Sequence, residues 1–122
     1  MIIPQSVLKV SDNSGARFAQ CVRVLSKAPK TVANVGDIIV VSVKRATPNK
    51  KVKKGTVQRA VIVRSASNLT RLDGSKIKFD KSDVVLITKM DLPVGSRVFG
   101  PVCKELRKYK FLKILSLATL SI

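Results

Sequence analysis

Alternation of apolar and polar residues dominates the first hundred positions. Phe18, Gln20, Val22 and Val24 alternate with Arg17, Ala19, Cys21 and Arg23, which makes one face of that segment mostly apolar and the other mixed. Residues 37–43 (DIIVVSV) form a short β-branched run after Gly36, a pattern that suits a buried strand better than a helix. Residues 56–64 (TVQRAVIVR) and 83–88 (DVVLIT) read the same way. Turn-forming groups separate these runs: Asn13-Ser14-Gly15, Asn34-Val35-Gly36, Pro48-Asn49 and Asp73-Gly74. Strands recurring at such short intervals predict a small antiparallel sandwich or barrel, and closure into a barrel removes exposed sheet edges.

After Gly100-Pro101 the spacing becomes helical. Proline is tolerated in a first helical turn, where its missing N–H would have no intrahelical partner. At about 100° per residue, Val102, Leu106 and Tyr109 fall on one face and Lys104, Arg107 and Lys108 on the other. Residues 111–117 offer a second short apolar segment. The apolar stripe of the tail is narrow, so it is expected to pack on the barrel rather than on a lipid surface. No run of about 18 apolar residues is present, and no membrane span is expected.

Composition narrows the chemistry. A length of 122 residues fits one domain, and 45% hydrophobic residues are enough to bury a core. The absence of His excludes His-based acid–base catalysis, Ser–His–Asp triads and His metal ligands. With no Trp, one Tyr and four Phe, broad base-stacking platforms are not expected. Cys21 and Cys103 form no Cys-x-x-Cys pair and are expected as buried thiols, a single disulfide between them being the alternative. The seven carboxylates mostly adjoin turns; Asp80 and Asp83 lie beside Lys78 and Lys81, which reads as charge balance rather than a metal pair. With no phosphate-binding glycine loop and no nucleophile elbow, neither an enzyme nor a cofactor is expected.

The net charge of +17 calls for a polyanionic partner. Residues 44–59 carry seven bases (Lys44, Arg45, Lys50, Lys51, Lys53, Lys54, Arg59) and no acid. Such a loop repels itself in isolation, and phosphates would neutralise it with release of counterions. Arg71-Leu72-Asp73-Gly74-Ser75-Lys76 reads as a hairpin with a two-residue Asp73-Gly74 loop. In that register Arg71 opposes Lys76, Lys76 and Lys78 share one face, and Ile77 and Phe79 take the other. Like charges directly opposed are destabilising until an anion covers them. The tail adds a third basic surface, with Lys104, Arg107, Lys108, Lys110 and Lys113 against Glu105 alone.

Several blocks, taken in order, resemble one family. Val10-Ser11-Asp12-Asn13-Ser14-Gly15-Ala16-Arg17 resembles the N-terminal motif of the large-subunit ribosomal protein L-fourteen family, bacterial and organellar type. Val98-Phe99-Gly100-Pro101-Val102 with Glu105-Leu106-Arg107 is similar to its C-terminal motif. Ala60-Val61-Ile62-Val63, then Asp73-Gly74, Phe79 and Val85-Leu86, resembles its central signature; Ser82 departs, where the family pattern prefers Asn or Thr. The resemblance spans residues 1–122. It implies a mainly β fold: a five-stranded barrel with a projecting β-ribbon over 1–100 and two short helices over 101–122. It also implies a non-catalytic constituent of the large ribosomal subunit that binds large-subunit rRNA. Small-subunit rRNA at intersubunit bridges and neighbouring ribosomal proteins are the further implied partners. The expected rRNA contacts are Arg17, the seven bases above, Arg64, Arg71, Lys76 and Lys78. A surface for the ribosome silencing factor is implied at Ser96, Arg97, Lys113 and Ser116, with Ser96 in place of a Thr common in bacterial members. A free small-barrel nucleic-acid-binding regulator is the other reading. The N-terminus shows no presequence pattern, which reads as synthesis in place. The excess charge favours a mitochondrial matrix, organelle-encoded chain over a bacterial cytoplasmic or plastid one.

Overall fold

The β-branched runs become strands because their side chains pack well on a pleated, buried surface. The computed structural model describes residues 2–25, 32–66, 69–107 and 111–121. Its elements are β1 (Val7–Val10), β2 (Ala16–Leu25), β3 (Ile38–Ala46), β4 (Val57–Arg64), β5 (Leu69–Thr70), β6 (Lys76–Ile77), β7 (Asp83–Ile87) and β8 (Val98–Val102). A 3-10 turn (Lys104–Arg107), the helix α1 (Leu112–Leu117) and β9 (Ala118–Ser121) follow.

Five strands close a barrel in the order β1-β2-β3-β4-β7. Neighbours are antiparallel except at the seam, where β1 runs parallel to β7 through Lys9↔Asp83 and Val10↔Val84. Every residue of β7 is buried, as expected for a strand with neighbours on both edges and core contacts on its faces. The mainly β expectation and the five-stranded barrel hold. β5 and β6 form a separate two-stranded ribbon.

The facing of β2 differs from simple alternation. Ala16, Ala19, Cys21 and Val24 are buried, whereas Phe18 and Val22 face outward. Register shifts at Ala16/Phe18, Phe18/Ala19 and Cys21/Arg23 explain the change, since each irregularity resets which side chain points inward. Small Ala19 and Cys21 therefore occupy the barrel interior, and the large Phe18 is left outside.

The C-terminal region also needs correction. Pro101 does not open a helix; it lies in β8, paired parallel with β9 through Val98↔Ala118 and Pro101↔Leu120. Its missing N–H costs little at this irregular edge, and its carbonyl accepts a hydrogen bond from Arg64 Nη1 at 2.6 Å. Val102 is buried in the strand and Leu106 in the 3-10 turn, so the expected stripe is split between two elements. Lys108, Tyr109 and Lys110 lie outside the described residues. Ile114 of α1 and Phe111 join the buried cluster that runs from Ile2 through the barrel.

Candidate nucleic-acid interface

The N-terminal turn, residues 12–17, is a brace. Asp12 is 5% exposed, and its carboxylate accepts the Ser14 N–H and hydroxyl on one oxygen and the Leu86 N–H of β7 on the other. Burial pushes its pKa above the usual carboxylate value, and these three donors oppose that rise. Asn13 Oδ1 accepts the N–H groups of Ser96 and Arg97, and its amide donates to the Ser96 hydroxyl. The turn thus ties β7 to the segment that enters β8.

The same turn holds the basic loop. Thr47 N–H donates to Gly15 O at 2.7 Å, Val52 N–H to Ser14 O at 3.2 Å, and Arg17 Nε to the Thr47 hydroxyl. Val52, set among lysines, is 3% exposed and anchors the loop in the core. Gly15 has φ +111°, and a Cβ there would lie 2.3 Å from Lys50 Cβ. Only glycine lets the loop approach this closely.

Of the seven bases in 44–59, Lys44, Arg45, Lys50, Lys51, Lys53 and Lys54 are exposed. Arg17, Lys44, Arg45 and Lys54 line a groove of about 370 Å³ beside Pro48. Arg17 and Lys50 also line an adjoining cleft of about 480 Å³ with Lys9. The hydrogen bonds to the 12–17 turn fix the backbone that carries the cations. Arg59 is different: Nη1 donates to Lys89 O and Nη2 lies 3.3 Å from Asp91.

Two further cations expected to face RNA are paired within the chain. Arg64, at 12% side-chain exposure, places Nε and Nη2 each 2.6 Å from Asp83 Oδ2, and Nη1 donates to the carbonyls of Phe99 and Pro101. Arg71 pairs with Glu105 through both Nε and Nη2. The hairpin register accounts for Arg71. Its loop has three residues, Leu72-Asp73-Gly74, because Arg71 N–H bonds Ser75 O and Gly74 N–H bonds Arg71 O. Thr70, not Arg71, therefore opposes Lys76, and the expected like-charge clash does not arise. Lys76 and Lys78 are exposed, while Ile77 and Phe79 pack on the core, as the pattern indicates.

The C-terminal candidates fall near one strand pair. Ser96 and Arg97 are exposed and lead into β8. Lys113 and Ser116 are exposed on α1, just before β9, and the Ser116 hydroxyl donates to Lys113 O. Lys104 is exposed in the 3-10 turn, and Arg107 ends it. Ser82, the departure noted above, accepts the Ala66 N–H through its hydroxyl, which Thr or Asn could equally do. Both cysteines are free and buried, as expected; burial raises the Cys21 thiol and pushes Cys103 up to about 11.

Sequence reasoning missed Lys9, Asn13, Thr47 and Val52 as parts of the site. Val52 alone carried a local signal, as the apolar residue inside a lysine run.

These features define a class: a small closed β-barrel that carries an ordered, strongly basic loop surface. A model of the family described as Ribosomal protein L14p/L23e matches residues 1–122, and the chain belongs to that family. It is a structural protein of the large ribosomal subunit, in a family that is in general non-enzymatic.

Proposed function

We propose that the chain binds large-subunit rRNA without catalysis, through the 44–54 surface together with Lys9 and Arg17. The observation that carries this reading is six exposed cations between residues 44 and 54, with no acid among them, on a loop braced by the 12–17 turn. RNA of this kind is recognised mostly by shape, with phosphate contacts that fix position rather than read sequence. Lys76 and Lys78 on the ribbon form a second contact. Arg59, Arg64 and Arg71 are left out of that surface, because internal acceptors hold their guanidinium groups.

The same reading extends to small-subunit rRNA at intersubunit bridges and to neighbouring ribosomal proteins. The exposed set Ser96, Arg97, Lys113 and Ser116, near the β8–β9 pair, is proposed as the surface for the ribosome silencing factor, with Lys104 beside it in the chain's basic tail. The excess of Lys and Arg supports an organellar ribosome in the mitochondrial matrix.

Sedimentation of a lysate tests the reading. The chain is expected in the large-subunit peak, and reversal of Lys50, Lys51, Lys53 and Lys54 to Glu is expected to shift it to the top of the gradient. Normal incorporation of the reversed variant would remove this loop as an RNA anchor. A wild-type chain free of ribosomes would favour the regulator reading.

A further inference from the structure

The cleft behind the basic loop is more than a cationic surface. Two of the chain's five aromatic side chains, Phe18 and Phe99, line it together. They are 38% and 52% exposed, so neither ring is needed to fill the core. Each is turned outward by a specific backbone cause. The bulges of β2 put Ala19 inside and Phe18 outside. In β8, Val98 is 2% exposed, so Phe99 takes the opposite face, where its N–H bonds Ser11 O at 2.7 Å.

The rim of the cleft is cationic. Phe18 has Lys9, which lines the cleft, as its partner on β1, and its partner on β3, Arg45, lines the adjoining groove. Arg17 and Lys50 add two more. Asp12 also lines the cleft, but both of its oxygens accept bonds from within the chain. A phosphate therefore meets no open carboxylate from Asp12. The volume, about 480 Å³, lies within the range of small-ligand sites, about 300–1,000 Å³.

Exposed phenyl rings bordered by cations suit one chemistry. Bases stack on aromatic rings, while the backbone phosphates on either side meet Lys and Arg. We propose that this cleft receives a single unpaired nucleobase of RNA, stacked on Phe18 and Phe99, with its flanking phosphates on Lys9, Arg17 and Lys50. This deepens the rRNA-binding reading and rests on it. A paired helix cannot enter, because its bases are already stacked on each other. Two rings at one cleft make a local site, which is compatible with the lack of a broad aromatic platform.

The test uses the full chain and two RNA hairpins of equal length, one fully paired and one with a single bulged purine. The bulged hairpin is expected to bind at least about 10-fold more tightly. Phe18→Leu and Phe99→Leu keep an apolar side chain at exposed positions and are expected each to cut that preference about 5-fold or more, leaving affinity for the paired hairpin unchanged. Circular dichroism of both variants checks the fold. Equal binding of the two hairpins by wild type, or an unchanged preference in both variants, would overturn the nucleobase site while leaving rRNA binding intact. Failure to bind either hairpin at low salt would overturn both.

Discussion

Arg64 is the most informative single residue. As a cation on a strand end it resembles an RNA contact, yet its guanidinium joins β4, β7 and β8 through Asp83 and two carbonyls. Its partner is 19 residues away, and the second oxygen of Asp83 is buried without a partner among the described residues. Removing the cation leaves a carboxylate at 8% side-chain exposure uncompensated. Arg64→Ala is expected to cost roughly 3 kcal/mol of stability in denaturant unfolding, the usual scale for breaking a buried pair. It is expected to leave the salt dependence of RNA binding unchanged. Cys103 makes stability depend on alkaline pH. Its thiol titrates at about 11 in the fold and near 9.0 when unfolded. The folded state therefore holds its proton more tightly, and stability that is full below pH 9 is lost as pH rises toward 11, by about 2 kcal/mol. Unfolding of wild type and Cys103→Ala at several alkaline pH values is expected to show a steeper loss in wild type.

Among the elements, the loop and the ribbon show how glycines with the same unusual backbone can differ. Gly74 has φ +89° and open space around it, so Gly74→Ala is expected to cost only about 1–2 kcal/mol of local strain. Gly15 combines positive φ with the Lys50 side chain at its back. Gly15→Ala is expected to displace the basic loop and weaken RNA binding severalfold, with the β signal in circular dichroism preserved. The strands themselves were legible, since β3, β4 and β7 announce themselves by β-branched runs. Three features were not. The facing of β2 was hidden by bulges that no local pattern encodes. The hairpin register was hidden because Leu72, which looks like a strand residue, is a loop residue and fully exposed. The β8–β9 pair joins segments some twenty residues apart, where Gly100-Pro101 reads locally as a helix start.

For the whole molecule, the +17 charge indicated a polyanionic partner but not which cations would meet it. The fold divides the cations by their partners. Arg59, Arg64 and Arg71 are engaged by acceptors of the same chain, the Arg64 pair alone being buried, while Lys44, Arg45, Lys50, Lys51, Lys53 and Lys54 are exposed. A cation's partner is set by long-range contacts, so this division could not be read from spacing. It has a thermodynamic signature. Changing Lys50, Lys51, Lys53 and Lys54 to Gln is expected to lower the slope of log K against log salt for RNA binding by about 3, close to one per lost phosphate contact. Arg71→Gln is expected to change that slope by less than about 0.5.

Ultraviolet crosslinking of the assembled large subunit, with identification of the attached peptides, tests the rRNA-binding claim most directly. RNA-bearing peptides are expected to map to residues 44–54, with Lys9–Phe18 and Lys76–Lys78 beside them. Crosslinks confined to the C-terminal tail, with residues 44–54 unmodified, would contradict it.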